Sequence, residues 1–186
     1  MNEYYKMTIA GCEHTLPLCK ASEDLMIAGF VIFGDVELTV AAAAELLKRA
    51  PEFDYMLAPE AKAIPLIYEM ARQSGRTEYL LARKAPKLYM KNVKVTEVKS
   101  ITTDAVQKLY IDEADAEKMK GKRILLLDDV ISTGESIAAV EKLVAEAGGI
   151  VAGRMAILAE GKAAERDDII FLEKLPLFDK EGNPLD

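Results

Sequence analysis

The sequence predicts an α/β fold, a mostly parallel central sheet of five strands flanked by helices. Two observations carry this. Ile124-Leu-Leu-Leu127 is a run of four large aliphatics, the pattern of a strand buried on both faces as in a parallel sheet. A short turn and a helix follow, and the same strand, loop and helix order occurs earlier, from Tyr55 to Ser74. With 186 residues, half of them hydrophobic, the chain is long enough for one domain with its own core.

Taken in order, Tyr4 to Lys20 reads as a hairpin. Tyr5, Met7 and Ile9 alternate, Gly11-Cys12 turns, and Leu16 and Leu18 return. Ile27-Ala-Gly-Phe-Val-Ile-Phe-Gly-Asp35 is an apolar run closed by an acid. Leu38 to Ala50 is an alanine-rich helix ended by Pro51, and Tyr55-Met-Leu-Ala58 is a short strand. Pro59 to Pro65 forms a loop into a helix that reaches about Ser74, where Gly75 closes it. Glu78 to Ala82 is the next strand. The polar stretch up to Tyr110 is strand-like, and Ile111 to Gly121 is a helical connector. After Leu127 comes a helix with apolar residues Ile137, Val140, Val144 and Ala147 at helical spacing, stopped by Gly148-Gly149. Ile150 to Ala159 is another apolar strand, and Glu160 to Glu165 turns back into Ile169-Ile-Phe-Leu172. Leu175-Pro-Leu-Phe178 follows, and the polar tail Asp179 to Asp186 is expected to fray.

Bulk properties exclude several functions. His14 is the only histidine, which removes zinc sites and Ser-His-Asp catalysis. Cys12 and Cys19 suggest neither a disulfide framework nor a metal knuckle. No apolar run reaches membrane-span length, and Met-Asn-Glu-Tyr-Tyr-Lys lacks the build of a signal peptide. A cytoplasmic protein without a membrane partner is expected. A net charge of −7 argues against a nucleic-acid partner. Against that background, Arg83 to Lys99 carries six basic residues and one acid, either a solvated basic loop or a surface that meets an anion.

The chemistry is concentrated in Arg123-Ile-Leu-Leu-Leu-Asp-Asp-Val-Ile-Ser-Thr-Gly-Glu-Ser136. Two carboxylates, Asp128 and Asp129, stand where the strand should end. Then come Ser132, Thr133, Gly134 and Ser136 at the mouth of a helix. Unpaired N–H groups and the positive end of a helix dipole make this an anion site, usually for phosphate. Ligands of open α/β sheets gather at the carboxyl ends of strands, where the acids lie. Taken alone, Ser132-Thr-Gly-Glu135 also fits a capping box that needs no ligand. A Walker loop is absent, since Ala116 stands five residues before Gly121-Lys122. No G-x-G-x-x-G follows a strand, and no Asp-x-Asp phosphatase start is present.

The hydrophobic strand, two acids, aliphatic residue and Thr-Gly resemble the phosphoribosyl-diphosphate (PRPP) signature of the type I phosphoribosyltransferases, most like the adenine phosphoribosyltransferase branch. The resemblance spans roughly residues 27 to 178 and is strongest at 123 to 136. It implies a single domain, residues 1–186, with a small hood built from about 1–38 and 160–178. The implied reaction displaces pyrophosphate from PRPP by a purine nitrogen, adenine in the first place, with Mg²⁺ as cofactor. A homodimer is implied as well.

The resemblance also implies roles. Ser132, Thr133, Gly134, Glu135 and Ser136 would hold the 5-phosphate. Asp128 and Asp129 would accept hydrogen bonds from the ribose hydroxyls, directly or through water on Mg²⁺, and favour positive charge on the ribose. Glu60-Ala61-Lys62-Ala63 stands where the family has Glu-Ala-Arg-Gly and would meet the pyrophosphate. Lys62 keeps the charge of that arginine without its fork, and Ala63 replaces a glycine that permits unusual backbone angles. Arg83, Lys84 and Lys87 match the family's Arg-Lys-x-x-Lys-Leu, which also contributes to pyrophosphate binding, partly across a dimer interface. Phe33 would stack on the base while the backbone of Ile32 to Gly34 reads its edge, the alternative being that Phe33 is core. Leu172 or Leu175 would cover the base's far face. Asp104, in a hairpin expected to close over the site, would act on the base as an acid. Two alternatives remain open: another acceptor (hypoxanthine, guanine, xanthine or orotate), or a PRPP-binding regulator with little catalysis.

Overall fold

The structure, a computed structural model, describes residues 2–99 and 106–185. A five-stranded sheet forms the centre, in the order β10-β9-β8-β4-β5, and every pairing in it is parallel. Its strands are β4 (Tyr55–Pro59), β5 (Leu80–Ala82), β8 (Arg123–Ile131), β9 (Ile150–Glu160) and β10 (Ile170–Leu175). The apolar run of β8 lies in the middle of this sheet, and Ile124 to Leu127 are wholly buried. Side chains alternate across a strand. Leu125 and Leu127 therefore enter the core under helices α1 (Val36–Arg49) and α2 (Ile64–Gln73). Ile124 and Leu126 enter the core under α3 (Glu113–Met119) and α4 (Glu135–Glu146).

A second, antiparallel sheet joins the two ends of the chain in the order β1-β2-β3-β11-β12. It contains β1 (Tyr4–Ile9), β2 (Cys12–Lys20), β3 (Met26–Ala28), β11 (Leu177–Phe178) and β12 (Pro184–Leu185). The expected hairpin is present, with its turn at Ala10-Gly11, both at positive φ, one residue earlier than the reading from sequence. The polar tail is not simply frayed. The Asp179 side chain accepts from the Glu181 and Asn183 N–H groups, and this turn returns the chain to pair β12 with β11. The polar stretch before Tyr110 forms a hairpin, β6 (Lys94–Lys99) with β7 (Val106–Ile111), tied to the end of β5 by an Arg83–Tyr110 bridge.

Three boundaries differ from expectation. α1 starts at Val36 because the Asp35 side chain accepts from the Leu38 N–H and caps it. β5 starts at Leu80, not Glu78. β8 does not stop before its acids but runs through them to Ile131, because pairing with β9 continues at Asp128–Ala156 and Ile131–Ala159.

Candidate active site

The sheet order places a crevice beside the acids. After β4 the chain moves outward to β5; after β8 it moves the other way, to β9 and β10. α2 and α4 thereby cover opposite faces, and the loops leaving β4 and β8 part from each other, the usual ligand position in an open α/β sheet. β4 pairs with β8 only as far as Leu57–Leu126, so beyond Leu126 that edge of β8 is free of β4. Asp128 and Asp129 lie just past this point.

Both acids are buried. The Asp129 N–H donates to Asp128 Oδ1 at 2.9 Å. Asp129 Oδ2 lies 3.0 Å from Lys62 Nζ, an ion pair that lacks hydrogen-bond geometry. Burial first, and then the Asp129 charge, pushes the Asp128 carboxyl up to about 8, while Lys62 pulls it down. Glu160, at the end of β9, is a third carboxyl near Lys62; burial raises it and the lysine lowers it. Sequence reasoning did not assign Glu160 a role in the site, since only the strand register brings it to Lys62.

Two adjoining recesses share Asp128, Val130 and Ser136. One, about 140 Å³, is lined by Ser132, Thr133, Gly134, Glu135 and Ser136. Gly134 is the N-cap of α4 at φ 81, without a side-chain cap, so the capping-box alternative is not what forms. The Glu135 N–H reaches Thr133 Oγ1 only at 3.4 Å. The other recess, about 150 Å³, is lined by Glu60, Ala61, Lys62 and Lys84 with both acids. Glu60 fastens its floor: its N–H donates to the Ala82 carbonyl, and its carboxylate accepts from the Lys84 N–H. Arg83 Nη2 stands 3.6 Å from Glu60 Oε1. Ala63 has ordinary helical angles (φ −77, ψ −4) and is wholly buried, so this chain has no need of the family's glycine there.

The remaining expected residues lie elsewhere. Lys87 sits on the loop after β5, its N–H directed at Met90 Sδ, and does not line either recess. Ile32, Phe33 and Gly34 form the turn before α1, closed by the Asp35 N–H on the Ile32 carbonyl. Phe33 is 51% exposed, so the alternative that it is core fails; Ile32 is the buried side chain. Leu172 is 8% exposed and belongs to the core with Leu175. Asp104 lies outside the described residues. Among the described residues, no three carboxylate, imidazole or thiol groups gather into a metal cage. The acid pair matches the way Mg²⁺ is usually held, by one or two carboxylates together with substrate oxygens and water.

Comparison with known proteins agrees with this geometry. The adenine phosphoribosyltransferase of Cenarchaeum symbiosum (strain A) is 34% identical over 131 residues, covering 69% of this chain and 73% of that protein. That of Petrotoga mobilis (strain DSM 10674 / SJ95) is 31% identical over 119 residues, covering 62% of each. The crystal structure of adenine phosphoribosyltransferase from Thermoanaerobacter pseudethanolicus has 25% identity and a TM-score of 0.62, covering 77% of this chain and 84% of that one. The family model for the phosphoribosyl transferase domain matches residues 36–180, from the first residue of α1 to beyond β11. Because that match covers most of the chain, the protein belongs to the phosphoribosyl transferase domain family.

Proposed function

We propose that this phosphoribosyltransferase moves the 5-phosphoribosyl group of PRPP to adenine, giving AMP and pyrophosphate. The observation that carries the reading is the crevice. A buried acid pair stands between the N-terminus of α4 and the Lys62 loop, which suits one ligand with a phosphate at one end and a diphosphate at the other. The names of the relatives support adenine as acceptor.

In this scheme the N–H groups of α4 and the hydroxyls of Ser132 to Ser136 hold the 5-phosphate. Asp128 and Asp129 accept from the ribose hydroxyls and, once ionised, oppose the positive charge that builds as the anomeric carbon–oxygen bond breaks. Lys62, Arg83 and Lys84 receive the pyrophosphate, with the Glu60–Ala63 backbone beside it; Lys87, outside both recesses, would reach it only across a dimer interface. Mg²⁺ would be held by Asp128 and Asp129 through water, and when bound stabilises the departing diphosphate. The antiparallel sheet serves as the hood of a single domain. Phe33 offers an exposed face for stacking on the base, the Ile32–Gly34 backbone would read the base edge, and Leu172 would cover its far face. Asp104 supplies the acid toward the base. The free thiols of Cys12 and Cys19 fit a cytoplasmic setting, and the exposed apolar pair Leu88-Tyr89, beside Lys87, supports a homodimer.

The test is pyrophosphate release from PRPP and Mg²⁺ with adenine, hypoxanthine, guanine, xanthine and orotate supplied separately. Fast release with adenine alone is expected. Release with a different base reassigns the acceptor, and PRPP binding without release for any base would turn the reading to a regulator.

A further inference from the structure

Arg166 has no part in the scheme above, yet it presses on the phosphate loop. It follows the 3-10 turn Gly161–Glu165 and donates from Nε and Nη2 to the two carboxylate oxygens of Asp168, at 2.8 and 2.7 Å. This two-pronged contact fixes the plane of the guanidinium and leaves Nη1 outside the pair. Nη1 is the atom that meets the loop: a Cβ built on Gly134 would lie 2.5 Å from it. Glycine at 134 thus serves two needs, the left-handed backbone at φ 81 and the close approach of a cation.

Charge alone does not explain the arrangement. Arg154 approaches the same Asp168 at 3.9 Å and pairs with Glu141 of α4, so two cations face two anions. Such a set attracts an anion weakly from a distance. What it supplies is an N–H donor held in one place, next to the residue that opens α4.

We propose that Arg166 binds the 5-phosphate, donating from Nη1 to an anion seated on the Ser132–Ser136 loop, with Asp168 as the residue that positions it. This rests on the PRPP reading above. It separates the two ends of the substrate, because a ligand without the 5-phosphate has nothing for Arg166 to hold.

The experiment titrates wild type, Arg166→Gln, Arg166→Lys and Asp168→Asn with ribose 5-phosphate and, separately, with Mg²⁺-pyrophosphate, following heat, and records a thermal midpoint for each protein. Arg166→Gln is expected to weaken ribose 5-phosphate about tenfold and leave pyrophosphate unchanged. Arg166→Lys should fall between, keeping the charge without the fork. Asp168→Asn, with the arginine present but unanchored, should lose a smaller factor on ribose 5-phosphate alone. An unchanged ribose 5-phosphate affinity in Arg166→Gln overturns the proposal. So does an equal loss for both ligands with a lowered midpoint, the mark of a mere brace. If Arg166→Gln does not fold, the same two comparisons are decided on Asp168→Asn. A wild type that binds neither ligand would instead sink the PRPP reading itself.

Discussion

Asp128 is a buried carboxyl with a second carboxyl as its neighbour in sequence, and both facts favour its protonated form. Its folded value of about 8 stands well above the ordinary 3.8. Between those two values the folded chain holds a proton that the unfolded chain releases, so the Asp128 contribution to stability falls as pH rises from about 4 to about 8. Asp128→Asn removes that slope. Thermal midpoints measured across this window should fall in the wild type relative to the variant, and parallel curves would refute the assignment. The proposed mechanism asks the opposite of the same group, since only the ionised pair would oppose charge on the ribose. Asp128→Asn with Asp129→Asn should cut turnover by about 10²–10³-fold while the protein stays folded. A double variant with wild-type kcat would remove the pair from the chemistry.

At the scale of elements, α2 shows how a loop carrying a cation is held without a side-chain cap. Glu69 is buried on this helix; Arg72 grips it with two hydrogen bonds, and Gln73 adds a third. The Arg72 hydrogen bonds are the main reason its carboxyl sits at about 2 against an ordinary 4.5. A depressed value stabilises the fold above about pH 4.5 and loses that effect as pH falls towards 2. Glu69→Gln should therefore lower the thermal midpoint at neutral pH, and the gap to wild type should close on acidification; a gap independent of pH would exclude ionisation as its cause. The sequence made such elements legible unevenly. The central strands were readable because four aliphatics in a row have no other good use, and the Ser132–Ser136 loop because acids and Thr-Gly share one short stretch. The ends were not. β8 outlasts its apolar run because β9 continues to pair with it, and β12 has two residues and no periodicity of its own. Ser132 fitted a cap in sequence, but the left-handed Gly134 takes that position. Glu160 and Arg166 reach the site through tertiary contacts that no local pattern announces.

For the whole molecule, the two sheets do not have separate cores. Ile9, Leu16 and Phe30, from the chain's N-terminal part, belong to the same buried cluster as Leu127, Met155 and Ile157 of the central sheet. Phe178 is the joint between the chain ends. It is wholly buried, packs edge-on against Tyr5 with ring centroids 5.0 Å apart, and pairs with Met26. A shared core makes the antiparallel sheet part of the global folding unit and not a flap that opens alone. Phe178→Ala should therefore cost about 3–5 kcal/mol of global stability. Denaturant unfolding followed by far-ultraviolet circular dichroism and by tyrosine fluorescence should give one coincident transition, moved to lower denaturant in both signals. If the fluorescence midpoint falls while the dichroism midpoint stays at its wild-type value, the antiparallel sheet melts separately. The proposed hood would then be an independently opening cover, no longer a fixed wall of the enzyme.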